Sequence, residues 1–283
     1  MNEGNRSGKG DLPSGPGRAN AASLAALALA TRLVDADARY PALSAGEFWG
    51  LLAACPDPSI LVGLAADEVE ALIGGSLDGT RVVALLERGS SVGLMLQRLE
   101  QSGIEVLATF DGPYSARLRD ELGSGAPPIL HVVGEAALLS SELSLIVMQG
   151  DENSANNGDS RAEWGAAAEI EGSRAAESGT TLISLARSNI DRSVVSSALD
   201  AGGRAVVITA GTLSAATSDP EWRRAIIAGR LCVATPYDPF TAFTDGKALG
   251  CLKIINALAL ETIKIEPEPE SSNPPEDTEQ LTL

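Results

Sequence analysis

The chain has 283 residues, 44% of them hydrophobic and only 4% aromatic, and a formal net charge of -17. That is apolar material for one or two domains with cores of Leu, Ile, Val and Ala, and no apolar run reaches the roughly 18–20 residues that span a bilayer. So acidic a body excludes indiscriminate gripping of phosphates, and any nucleic-acid role needs a local basic patch. Cys55, Cys232 and Cys251 are few, odd in number and far apart. They fit reduced thiols in a cytoplasmic protein, without a disulfide framework.

Residues 1–20 are Gly, Ser, Asn and Pro with scattered charge, a composition that predicts disorder. Ala21–Leu33 is apolar, but Ser23, Thr31 and Arg32 interrupt it and acidic sequence follows, so it is not read as a secretory signal. Residues 21–102 read as a small helical domain. Ser44 and Glu47 have the spacing of a capping box ahead of Phe48, Leu51 and Leu52. Asp67 is the expected cap of a helix that Gly74-Gly75 ends.

At Gly103 the pattern changes. Short strands are expected at Ile104–Ala108, Ile129–Val133, Leu143–Met148, Thr180–Ser184, Arg204–Ile208, Leu231–Ala234 and Thr262–Ile265. Helices are expected at Ala162–Ser178, Arg192–Ala201, Trp222–Ala228 and Ala248–Leu260. From Leu143 on, the alternation of strand and helix is that of a doubly wound parallel sheet. The polar insertion Gln149–Ser160 is expected to be mobile and to lie as a lid or block over the strand ends. Residues 267–283 form an acidic tail with no means of building a core; with Glu266 it holds six acidic and no basic residues, which leaves -11 for the rest of the chain.

In such a sheet ligands bind at the C-terminal strand ends, so the turn after Ser184 is the first place to look for function. Ser184, Asn189 and Asp191 have the chemistry to hydrogen-bond a phosphate, ribose or base. The plainer role for Asp191 is to cap the following helix. Ser160 and Arg161 would hold a phosphate, although Asp151, Glu152 and Asp159 compete for the arginine. Between Thr181 and Glu266 nine Lys/Arg meet eight Asp/Glu, so this half is near neutral. Arg187, Arg192, Arg223, Arg224, Arg230, Lys247 and Lys253 are its basic set, read equally as a weak nucleic-acid face or as scattered solvated charge. His131 is the only histidine and sits in an apolar run, as a strand residue packed in the core. No metal site, cofactor or catalytic set is assigned, because no nucleophile and base can be paired.

The stretch Gly103–Gly134 reads GIEVLATFDGPYSARLRDELGSGAPPILHVVG. It resembles the DNA-processing protein A family, also called Smf. Asp111, Tyr114, Leu118, Pro127, Pro128 and Gly134 match that family's pattern, and Ser115 replaces the usual proline. The resemblance extends from the helical region to about Glu266. Its ligand motifs are eroded. The Gly-Ser-Arg turn corresponds to Gly158-Asp159-Ser160-Arg161, with Trp164-Gly165 in place of Tyr-Gly. The Ser-Gly-Leu-Ala-x-Gly-Ile-Asp motif corresponds to Ser184–Asp191, with both glycines gone. An Ala-His pair falls on Val194-Val195, and an Arg-Asn-Arg motif falls where only Lys253 keeps a charge. Gly202-Gly203 and Gly211 are retained.

The resemblance implies an α/β protein with an extended Rossmann-like parallel sheet over residues 103–266. It implies a cytoplasmic, non-enzymatic protein that binds single-stranded DNA during DNA uptake (transformation) and recombination, loads a RecA-type recombinase and forms a homodimer. The implied contact residues are Ser160, Arg161, Ser184, Arg187, Asn189, Asp191, Gly211 and Lys253. DNA binding is expected to be weak or lost. The rival readings are a nucleotide-sensing Rossmann-like module and a degenerate paralogue with a protein-interaction role. A nucleotide hydrolase is the weakest reading.

Overall fold

The computed structural model describes residues 20–34, 37, 39–148 and 158–265. The insertion 149–157, the tail from 266 and residues 1–19 lie outside the described residues, so the expectations of a lid and of disordered ends fall there.

Five helices come first: α1 (Ala21–Ala30), α2 (Ala45–Ala54), α3 (Ala66–Ile73), α4 (Gly79–Leu86) and α5 (Gly89–Gln101). Their ends follow from local chemistry. The capping box at α2 is present, with the Ser44 hydroxyl accepting from the Glu47 N–H and the Glu47 carboxylate accepting from the Ser44 N–H at 2.8 Å. Helix α3 corrects the expectation for Asp67. Its cap is Ala65, because Glu68 reaches back to the Ala65 N–H at 2.8 Å and leaves Asp67 inside the first turn. Gly74 ends that helix in the left-handed conformation (φ 66°). Arg88 holds the region together from below, donating to the carbonyls of Ala28, Thr31 and Val34 at the end of α1.

The rest of the chain forms one seven-stranded sheet. Its strands are β1 (Glu105–Ala108), β2 (Ile129–Gly134), β3 (Leu143–Met148), β4 (Thr181–Ser184), β5 (Arg204–Ile208), β6 (Leu231–Thr235) and β7 (Ala259–Ile265). The order is β1-β2-β6-β5-β4-β3-β7. Strands β3 to β7 are parallel, while β1 and β2 pair antiparallel with each other and with β6. The chain thus winds outward from β3 to β6 and returns to place β7 on the other side of β3. This is a mostly parallel Rossmann-like sheet, and its order reverses between β3 and β7.

The intervening helices are α6 (Ala116–Leu122), α7 (Gly158–Glu177), α8 (Asn189–Asp200), α9 (Leu213–Ala216), α10 (Pro220–Ile227) and α11 (Asp245–Leu258). Helices α7, α8 and α10 pack together on one face, and α11 lies beside α6 on the other. The strands are filled by Leu182, Ile183, Ala205, Val206, Val207, Leu231, Cys232 and Val233, all buried on both faces as a central parallel sheet requires. Val194 and Val195 are buried here too. Helix α7 lies so close to α8 that a Cβ at Gly172 would meet the Val194 carbonyl oxygen at 2.5 Å.

Several boundaries move. Helix α7 begins at Gly158, so the last three residues of the expected polar insertion are helical. Helix α8 begins three residues before Arg192, because Ser188 caps it, and α11 begins at its own cap, Thr244.

The resemblance-bearing stretch forms the joint between the two regions. The Asp111 carboxylate accepts from the Ala108 N–H at 2.7 Å and from the Ser23 hydroxyl of α1 at 2.6 Å. The Tyr114 hydroxyl donates to the Pro127 carbonyl at 2.6 Å. Trp49 of α2 donates through Nε1 to the Ala126 carbonyl at 2.8 Å. Tyr114 therefore braces the turn, and Asp111 and Ala126 tie the helices to the sheet.

Candidate functional site

Strand β4 ends on Ser184, and the chain turns sharply. The Ser184 hydroxyl oxygen accepts from the Ala186 N–H at 2.9 Å, which closes a small turn. Ala186 takes φ 49°, the only left-handed non-glycine among the described residues. A Cβ in that region costs on the order of 1 kcal/mol. Leu185 is half-buried against the core, as its place at the end of an apolar run predicts.

Helix α8 follows at once. The Ser188 hydroxyl accepts from the Asp191 N–H at 3.0 Å, and the Asp191 carboxylate accepts from the Ser188 N–H at 3.0 Å. Asp191 thus closes a capping box from the third helical position. Its carboxylate serves the fold, which is the plainer of its two readings. Asn189 is exposed at the first helical position, beside the partial positive charge of the helix start.

Arg187 leans over the mouth. Its guanidinium lies 5.8 Å from the Phe243 ring centroid and 3.8 Å from the Asp245 carboxylate. Both partners come from the β6–α11 connection. Gly211, after β5, donates its N–H to the Thr209 hydroxyl at 3.1 Å, and the space above its Cα opens towards the Phe243 Cβ. The ends of β4, β5 and β6 therefore bring Ser184, Arg187, Asn189, Asp191 and Gly211 around one mouth.

Three predicted residues stand apart from it or are described only in part. Ser160 and Arg161 lie in the first turn of α7, after β3, and their side chains lie outside the described residues. Lys253 sits eight residues into α11 from Asp245, about 12 Å along the axis at 1.5 Å per residue. It faces a separate cleft.

The wider basic set is largely engaged in the fold. Arg192 pairs with Asp219 at 3.7 Å and stacks over Trp222 at 4.7 Å. Arg230 caps the end of α8 through the Leu199 carbonyl. Arg223 and Arg224 donate to the Thr217 and Pro220 carbonyls at 3.1 and 3.4 Å. Lys247 donates to the Thr241 hydroxyl and the Ala242 carbonyl at 2.6 and 2.9 Å. Of this set, Arg187 is the cation presented at the mouth, held there only by an exposed ion pair.

Sequence reasoning missed Phe240 and Phe243, which are 59% and 46% exposed beside the mouth. The signal was present: two of the chain's four phenylalanines fall in Asp238–Asp245, a polar connection with no apolar periodicity to bury them. His131 is buried on β2 opposite Thr235, as expected. Burial holds its imidazole down at about 4. The backbone of Thr235 and Tyr237 surrounds the ring, yet neither ring nitrogen reaches a partner with hydrogen-bond geometry. Burial likewise pushes the Cys232 and Cys251 thiols up, Cys251 to about 12. No group of three His, Cys, Asp or Glu suited to a metal occurs among the described residues.

A structure of DNA processing protein A from Streptococcus pneumoniae superposes on 82% of this chain and 77% of its own, with a TM-score of 0.57 and 17% sequence identity. The fold is that of DNA processing protein A. A second structure, of DNA processing protein A from Helicobacter pylori and concerned with its single-stranded DNA binding mode, covers 57% of this chain and 68% of its own at 16% identity and a TM-score of 0.42. No family model matches the sequence. No curated protein matches it either. In this chain the β4, β5 and β6 ends lie together at one edge, and the helical region joins the sheet at β1 and β2. No helix among the described residues is long and apolar enough to cross a membrane.

Proposed function

We propose that this protein binds single-stranded DNA at the mouth formed by the β4, β5 and β6 ends. The observation that carries the reading is the exposed Arg187–Phe243 pair beside Gly211 and the start of α8. A strand without sequence preference is held by aromatic faces that stack bases and by cations that track the backbone, and stacking contributes roughly 1–3 kcal/mol per base. Phe243 supplies the face, and Arg187 supplies the cation. The Arg187–Asp245 pair offers little resistance, since an exposed ion pair is worth about 1 kcal/mol or less.

The loss of glycine at 185 and 189 narrows the approach of a phosphate to the backbone, while Ala186 keeps the turn at a cost in strain. Binding is therefore weak, and Arg187, the cation at the mouth, gives log K against log salt a slope of about -0.7. The likeness in fold extends the reading to DNA uptake and recombination in the cytoplasm, with delivery of the strand to a RecA-type recombinase and assembly as a homodimer. A non-catalytic role goes with this reading: His131 is enclosed on β2, the Asp191 carboxylate closes the capping box of α8, and the Asp245 carboxylate faces Arg187.

The test is a titration of labelled oligo-dT at several salt concentrations beside AMP, ADP and ATP. Binding to oligo-dT that falls with salt, with no mononucleotide bound comparably, supports the reading. Tighter binding of a mononucleotide would replace it with nucleotide sensing.

A further inference from the structure

A second opening lies on the other side of the β6–α11 connection. It is a cleft of about 780 Å³ between the end of α1, the start of β2 and α11. That volume is in the range of sites for drug-sized molecules. Leu33, Leu43, Leu122, Ile129 and Ile254 give it an apolar lining, and His131 stands at its floor.

The wall towards α11 is purpose-shaped. Gly250 lies inside that helix, where glycine costs roughly 0.5–1 kcal/mol relative to alanine. A Cβ there would stand 2.0 Å from the Tyr237 hydroxyl, so a larger residue would push the tyrosine off the helix. The Tyr237 hydroxyl donates to the Lys247 carbonyl at 3.3 Å, and the Lys247 ammonium lies 5.7 Å from the tyrosine ring centroid. Tyr237, Lys247 and Gly250 thus form one fixed surface.

The charge of the cleft runs against the charge of the chain. Arg32, Lys247 and Lys253 line it against Glu121 and Asp238. Glu121 faces Arg117 at 3.7 Å, and Asp238 accepts from the Phe240 N–H at 2.8 Å. Among the described residues, neither Lys247 nor Lys253 has a carboxylate within ion-pair distance. On a protein of net charge -17, a hollow with surplus cations is a place where an anion is favoured over its surroundings.

We infer that this cleft binds a small amphipathic anion, an apolar body lying against Leu43, Leu122 and Ile129 with its carboxylate, sulfonate or phosphate held by Lys253, Lys247 and Arg32. The site is distinct from the strand-end mouth and stands whether or not that mouth binds DNA.

The single histidine makes the inference testable without interference from any other histidine, because its Hε1 proton gives one NMR signal from the floor of the cleft. The probe is 8-anilinonaphthalene-1-sulfonate, an apolar aromatic body with one negative charge, titrated into the full chain. Its uncharged relative N-phenyl-1-naphthylamine is run beside it. The expected result is saturable fluorescence enhancement by the sulfonate, a matching shift of the His131 signal, and at least about fivefold weaker binding of the neutral probe. Lys253→Glu, at an exposed position that the fold does not need, should weaken the sulfonate about tenfold. Ala30→Trp, which fills the opening, should abolish both signals. If the tryptophan variant fails to fold, the lysine variant decides alone. A His131 signal that stays put while the probe binds, or affinity unchanged in Lys253→Glu, would overturn the inference.

Discussion

The joint at Asp111–Gly134 and the mouth at Ser184–Asp191 are both short, motif-bearing segments, but they are held in different ways. At the joint the hydrogen bonds connect distant parts of the chain: Ser23 to Asp111, Trp49 to Ala126, Tyr114 to Pro127. At the mouth every bond is local, from Ser184 to Ala186 and between Ser188 and Asp191, and the side chains that lean outward are exposed. A residue that ties two regions together is kept by the fold itself. A residue at the mouth is kept only by what binds there. A substitution at the joint is therefore felt by the fold, and one at the mouth by whatever binds there.

The comparison predicts large effects at the joint and small ones at the mouth. The largest is acid sensitivity from His131. The folded chain holds its imidazole at about 4, against 6.5 when free, so only the unfolded chain takes up the proton between those values. Stability is unaffected by this group above pH 6.5 and falls as pH drops from 6.5 to 4, by about 3 kcal/mol in all. Urea unfolding at pH 7 and pH 4.5 should show the loss, and His131→Phe should remove that share of the slope.

Next is Asp111→Ala. It leaves the Ala108 N–H and the Ser23 hydroxyl without their acceptor and should cost roughly 2 kcal/mol at neutral pH. Differential scanning calorimetry would measure it, and a cost below about 0.5 kcal/mol would show that the joint is not held as described. The smallest is Ala186→Gly at the mouth. It relieves the left-handed Cβ and should leave stability level or raise it by up to about 1 kcal/mol. A clear loss of stability would mean that the Ala186 side chain contributes packing that outweighs its strain.

The sheet was legible because its strands are short apolar runs separated by helical periodicity, and Leu143–Met148 and Arg204–Ile208 stand where the pattern puts them. That β1 and β2 would join the β6 edge antiparallel was not legible, since strand partners many residues apart leave no local trace. Helix α8 was expected too late because Asp191 was taken for the cap, whereas Ser188 caps and Asp191 closes the box. The mouth was legible in part. The strand ends bring Arg187 and Gly211 together, whereas Lys253, named from the eroded Arg-Asn-Arg motif, is carried by α11 to another cleft. Phe243 stands in a polar connection with no apolar periodicity to bury it, a trace the sequence carries, while its place beside Arg187 is visible only in the folded chain.

In the proposed mode of binding, Phe243 and Arg187 form one surface for a single strand. That mode is tested most directly by the anisotropy of labelled oligo-dT across a salt series, for the native chain, Phe243→Ala and Arg187→Ala. Loss of a stacked base should weaken binding by roughly 1–3 kcal/mol at every salt concentration and leave the slope of log K against log salt unchanged. Loss of the arginine should make that slope shallower by about 0.7, the value for one phosphate contact on a single strand. Affinity and slope indifferent to both substitutions, or no binding by the native chain even at low salt, would contradict the account.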